Sequence, residues 1–186
     1  MILQEKTYIK KQKKKYLIHS CIWTVIVFVL FGLGLLFTKT RSNYFTISAC
    51  VMAIVAALFI SRFISFSRFK DGDEAKACIL ETMKGCCQIF HSGIIIDDAG
   101  TSYFEHIVVT SRGVYLIGYD EAKMKKYRSA TERSLVNKGI PAKCIHFLIV
   151  RNEVQMKNIA LRIEKDACIT NGKLEEYSKM INEILM

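Results

Sequence analysis

Two apolar stretches near the N-terminal end decide most of what this chain can become. Tyr16 to Phe37 reads YLIHSCIWTVIVFVLFGLGLLF and carries no full charge, with His19 near its start. Tyr44 to Phe66 reads YFTISACVMAIVAALFISRFISF, and its one charge, Arg62, lies close enough to the end for a long side chain to reach the headgroups. A helix of either length covers roughly 30 Å, the hydrocarbon thickness of a bilayer. The link between them, Thr38 to Asn43, is so short that the two helices must be antiparallel neighbours. A cleaved signal peptide fits poorly: the apolar core is too long, no small-residue cleavage pattern follows, and a second span begins at once. The expectation is a transmembrane hairpin over residues 16–66, with spans 16–37 and 44–66.

Charge placement gives the orientation. Residues 1–69 hold ten Lys/Arg against one acid, Glu5, whereas residues 70–186 hold 17 against 16 Asp/Glu. The excess therefore flanks the spans. Lys10, Lys11, Lys13, Lys14 and Lys15 precede the first, and Arg62 and Arg68 mark the exit of the second. Lys39 and Arg41 alone occupy the link. Under the positive-inside rule both termini are cytoplasmic in an integral membrane protein. Residues 1–15 form a basic cytoplasmic N-terminus and residues 70–186 a cytoplasmic domain. The lipid bilayer is the first expected partner, and the lysine run attracts anionic headgroups. The nearly neutral domain gives nucleic-acid binding little support. Ala49-x-x-x-Ala53-x-x-x-Ala57 sets small residues on one helix face, suited to packing the hairpin on itself, on a second copy or on a protein partner. Seven cysteines without paired spacing read as reduced thiols.

After Phe69 the pattern changes to that of a small α/β domain. Asp71 or Asp73 is placed to cap a helix, and apolar residues at Ala75, Cys78, Ile79, Thr82 and Met83 predict helix over 74–90. Gly93 to Asp97 is a short β-branched run, and Asp97-Asp98-Ala99-Gly100 is a turn signal. Tyr103 to Thr110, YFEHIVVT, and Val114 to Tyr119, VYLIGY, predict a β-hairpin closed by Ser111-Arg112-Gly113. Residues 120–139 are charged and partly helical. Lys143 to Arg151 predicts a buried strand, Ala167 to Thr170 a short one, and a last helix follows Asn171-Gly172. The order specifies a central mixed β-sheet with helices.

The run TSYFEHIVVTSRGVYLI from Thr101 to Ile117, with Gly72-x-Glu74 before it, resembles the nuclease-related domain (NERD) family. That resemblance implies a restriction-endonuclease-like fold over most of residues 72–186. His106, the apolar run Ile107 to Val109, Gly113 and the strand Val114 to Ile117 match the family pattern, in which acid and E-x-K residues hold a divalent cation and position water. Glu105 falls on the family's metal-binding aspartate, Gly118 on its glutamate and Asp120 on its lysine. Glu121-x-Lys123 is a displaced E-x-K, and a strand extended through it would set Glu105, Asp120 or Glu121, and Lys123 together, with Glu74 nearby. His106 reads as a hydrogen-bonded, partly buried histidine rather than a catalytic base.

Three expectations follow for function. The first is a membrane-anchored, catalytically degenerate NERD-like domain acting as a binding or scaffolding module at the cytoplasmic membrane face. The second is an active metal-dependent nuclease whose catalytic candidates are Glu74, Glu105, Asp120, Glu121 and Lys123, with Glu105, Asp120 and Glu121 as metal ligands. The third is a small structural subunit of a membrane assembly. No cofactor is expected in the first and third; Mg²⁺ or Mn²⁺ enters with the second.

Overall fold

The computed structural model describes residues 2–38, 44–83, 87–97, 100–167 and 173–185. The chain divides into two compact units, Ile9–Lys70 on the one hand and Met1–Tyr8 with Asp71–Met186 on the other.

The first unit is built on two long apolar helices, α1 (Tyr8–Thr38) and α2 (Tyr44–Ser67). Both are long and apolar enough to cross a membrane. The lysine run is helical and forms the first turns of α1. At 31 residues α1 is about 46 Å long, so its charged turns extend beyond a hydrocarbon core of about 30 Å. Lys13 also fastens α1 to the end of α2: its ammonium donates to the carbonyls of Phe69, at 2.5 Å, and Ser67, at 3.3 Å. A helix that stops there leaves its last carbonyls to be met from outside its own ladder, and a cation suits that end of the dipole. Tyr16 stacks on Phe66 and lies under the Arg62 guanidinium. Of the alanines expected on one packing face, Ala49 is buried but Ala53 and Ala57 are exposed; Ala56 takes their place. The buried small residues are thus seven apart, two full helical turns, and the expected i,i+4 stripe is split. Large side chains remain uncovered along both helices, among them Phe28 at 71%, Leu36 at 76% and Ile54 at 65% exposure. The link residues Lys39 and Arg41 lie outside the described residues.

The second unit is an α/β domain with a mixed sheet of four main strands, β2 (Cys87–Asp97), β3 (Gly100–Thr110), β4 (Val114–Gly118) and β5 (Ile145–Ile149). A short strand β1 (Ile2–Gln4), from ahead of α1, adds parallel to β2 at the edge. The spatial order is β1-β2-β3-β4-β5, antiparallel across β2-β3-β4 and parallel between β4 and β5. The parallel pair is joined by α4 (Glu121–Asn137). The remaining helices are α3 (Glu74–Glu81), α5 (Glu153–Ala167) and α6 (Leu174–Ile184).

Helices cover both faces, which explains the continuous apolar runs of β3 and β4. On one face Ile107, Val109, Val114 and Leu116 pack with Met124 and Leu135 of α4 and Tyr177, Ile181 and Ile184 of α6. On the other Ile89, Val108, Tyr115 and Ile117 pack with Leu80 of α3 and Met156, Ala160 and Ile163 of α5. Two sequence expectations change. The helix predicted over 74–90 stops at Glu81, and Cys87–Phe90 are strand: Ile89 and Phe90 are buried on opposite faces, so the run lacks the alternation that marks a half-buried strand. Ala167 ends helix α5 instead of opening a strand; residues 168–170 lie outside the described residues.

Candidate functional site

The residues expected to carry chemistry lie where β3, β4 and the two helix N-termini of α3 and α4 meet. Asp73 caps α3, accepting from the Ala75 N–H at 3.1 Å, and Glu74 is the exposed first residue of that helix. Gly72 packs its backbone over β3: a Cβ there would lie 3.3 Å from His106 Cε1 and 3.4 Å from Glu105 Cβ. Glu105 is half-buried on β3, and one carboxylate oxygen accepts the Tyr119 N–H at 3.2 Å just beyond β4. Burial raises its pKa, against opposing backbone hydrogen bonds and the Lys123 charge.

The extension that would have aligned a displaced E-x-K does not form. β4 stops at Gly118, and Asp120 caps α4 by accepting from Ala122 N at 3.0 Å and Lys123 N at 3.3 Å. These amide bonds, Lys123 first, lower the Asp120 pKa. Glu121 and Lys123 are therefore first-turn helix residues, and residues two apart on a helix do not share a face. Both Glu121 oxygens are engaged, one by Lys125 at 3.0 Å and the other by Arg151 at 2.9 Å, which hold its pKa low. Lys123 is exposed, 3.6 Å from the Asp120 carboxylate. Gly118 offers no ligand, and the position facing Glu105 is filled: a Cβ at 118 would lie 2.4 Å from Met124 Cε and 3.5 Å from Glu105 Oε2. Among the described residues no group of three or more His, Cys, Asp or Glu is arranged to hold a metal ion. The residues present do not fit a bound Mg²⁺ or Mn²⁺ at Glu105, Asp120 and Glu121.

What the fold does assemble there is a buried polar chain. His91 of β2 and His106 of β3 are directly opposite in the sheet, each 1% exposed, with Nδ1 to Nδ1 at 2.8 Å. His106 Nε2 stands 2.7 Å from the Tyr119 hydroxyl, and Lys76 lies 4.0 Å from the centroid of the same ring. At the other end His91 Nε2 has the Glu81 carboxylate at 3.3 Å, without an aligned hydrogen bond. Glu81 in turn pairs with Lys6 at 2.5 Å, and Lys6 also donates to Cys78 Sγ at 3.1 Å. Burial lowers both histidines, His106 to about 3; Glu81 opposes the shift at His91. Beside the pair Ser92, at φ 59°, donates to Asp71 at 3.2 Å.

No family model, curated protein or solved structure matches this chain.

His106 is hydrogen-bonded as expected but more deeply buried than expected, and its contacts with His91 and Tyr119 and the Glu81–Lys6 pair were not foreseen. A signal for the pair was present. β2 ends at Asp97 and β3 begins at its partner Gly100, so His91 and His106 are equidistant from the turn and must face each other. The Asp98 and Ala99 of that turn lie outside the described residues.

The placement of Glu105 gives a stability prediction. Glu105→Gln keeps an oxygen for the Tyr119 N–H and is expected to change unfolding free energy by less than about 1 kcal/mol. Glu105→Ala leaves that amide unsatisfied and costs about 1–3 kcal/mol. Denaturant unfolding of the full chain measures both.

Proposed function

We propose that the chain is a membrane-anchored module whose cytoplasmic α/β domain is a restriction-endonuclease-like, NERD-related fold without nuclease chemistry, serving to bind or scaffold a protein at the membrane face. The observation that carries the reading is the spending of the acids on structure. Asp120 caps a helix, Glu121 is held by two cations, Glu105 fastens β3 to the end of β4, and Met124 fills the space beside Gly118.

Anchoring is supported by the many large apolar side chains left uncovered along α1 and α2, both long and apolar enough to cross a membrane. Membership of residues 1–8 in the same unit as residues 71–186 supports a hairpin whose two flanks share one side of the membrane. Lys10, Lys11, Lys13, Lys14, Lys15, Arg62 and Arg68 support the cytoplasm as that side.

The test of the catalytic half is direct. Purified full-length protein in nanodiscs, given DNA or RNA with Mg²⁺ or Mn²⁺, is expected to show no cleavage that Glu105→Gln removes. Cleavage lost on that substitution would establish the nuclease reading in its place.

A further inference from the structure

The buried pair His91 and His106 is more than a satisfied core contact, because its hydrogen bonds can run in two directions. Each imidazole has two ring nitrogens, and when neutral one donates and the other accepts. The 2.8 Å contact between the two Nδ1 atoms holds one proton, so the two rings cannot choose tautomers independently. Glu81 selects the arrangement at neutral pH. Its carboxylate faces His91 Nε2, so that nitrogen carries hydrogen and His91 Nδ1 is bare. His106 Nδ1 then donates to His91, His106 Nε2 is bare, and the Tyr119 hydroxyl donates to it. The opposite arrangement would point a bare His91 nitrogen at a carboxylate.

We propose that Tyr119, His106 and His91 form a proton relay that takes up one proton on acidification, places the charge on His91 beside Glu81, and turns the Tyr119 hydroxyl from donor to acceptor. The balance is one proton gained with no heavy-atom movement. A proton arrives at the Tyr119 oxygen, whose original proton passes to His106 Nε2. The His106 Nδ1 proton passes to His91 Nδ1. His91 then holds both its protons and one positive charge, His106 stays neutral as the Nε2–H tautomer, and Tyr119 accepts from it with its O–H free to donate elsewhere.

The surroundings favour charge at His91 over His106. From α3, Glu81 faces His91, and Lys6 from the β1 arm is the opposing cation. His106 faces Lys76 and its own partner imidazole, both unfavourable to a positive charge. Around Tyr119 lie Lys76, Asp73 at the cap of α3, and Glu105 and Tyr103 of β3, with Asp71 beside Tyr103. Asp120 and Lys123 of α4 act on Glu105. Lys157 and Glu164 of α5 line, together with Cys78, a cavity of about 450 Å³ that none of the relay residues borders. The switched hydroxyl therefore lies among the acids at the start of α3 and on β3, Asp73 and Glu105.

Histidine-selective ¹³C,¹⁵N labelling of the full-length protein in nanodiscs reads the tautomers directly. The chain has four histidines, and His19→Gln and His146→Gln leave the relay pair alone in the spectrum. Near pH 7.5 His106 is expected as the Nδ1–H tautomer and His91 as the Nε2–H tautomer. On acidification His91 gains its second proton and His106 changes to Nε2–H with the same midpoint. In Glu81→Gln that midpoint falls by about one pH unit or more, a tenfold loss of proton affinity. The relay is overturned by the reverse tautomers at pH 7.5, by charge appearing on His106, by His106 unchanged while His91 titrates, by no titration before unfolding, or by an unmoved midpoint in Glu81→Gln.

Discussion

Gly113→Ala is expected to destabilise the α/β domain by about 3 kcal/mol, the upper end for overpacking. The reason is space rather than backbone freedom. A Cβ at 113 would stand 2.2 Å from the Cys144 carbonyl oxygen and 3.0 Å from its carbon. Both are backbone atoms, so no side chain can swing aside. Cys144 leads directly into β5, whose Ile145 pairs with Val114. The turn itself is pinned, since Gly113 O accepts from Thr110 N at 2.9 Å and Gly113 N donates to Thr110 Oγ1 at 3.2 Å. Relief therefore requires β5 to move off β4. Hydrogen exchange of the full-length protein should show amides of both strands losing protection together. Gly32→Ala is the control: nothing lies within 4 Å of a Cβ at that helical position, and no loss is expected.

Acid is the second large lever, and its sign follows from the buried histidines. Their folded pKa values lie below the ordinary value near 6.5, that of His106 at about 3. Between those limits the unfolded chain binds more protons than the folded one, so stability is full above pH 6.5 and is lost as the pH falls. Each histidine contributes a slope of up to about 1.4 kcal/mol per pH unit. Glu105 works the other way, since its folded pKa is raised, but only as the pH nears the carboxylate range. Unfolding midpoints measured from pH 7.5 to 5 should fall steadily. Replacing His91 and His106 together with asparagine should flatten that dependence, whatever it does to the midpoint at neutral pH.

The two apolar helices were legible in the sequence because each run is long, apolar and almost free of charge. The strands β3 and β4 were legible for a related reason: burial on both faces leaves β-branched and aromatic runs bounded by Gly113 and Gly100. That same burial hid the start of β2, where Cys87 to Phe90 has no alternation to set it apart from the helix before it. Helix α5 was missed although Met156, Ala160, Ile163 and Ala167 recur at spacings of four, three and four. Its other positions mix charged and polar residues with the exposed apolar Val154 and Leu161, which blur the stripe. At the candidate site the fate of Glu121 turned on where β4 stops. Asp120 followed by Glu121-Ala122-Lys123 is a helix-start pattern, and weighing it against strand extension would have placed both acids correctly. The Glu81–Lys6 pair was not legible, because it needs a residue from ahead of α1 to meet one from beyond α2.

That meeting bears on the central proposal, an anchored hairpin with one cytoplasmic domain. β1 pairs with β2, so a chain that crosses the membrane in α1 and returns in α2 must present both flanks on one side. Epitope tags at the two ends of the full-length protein, probed by antibody in intact and then permeabilised cells, test this directly. The expected result is no staining of either tag until the membrane is opened, and then staining of both. Staining of either tag on intact cells would contradict the account.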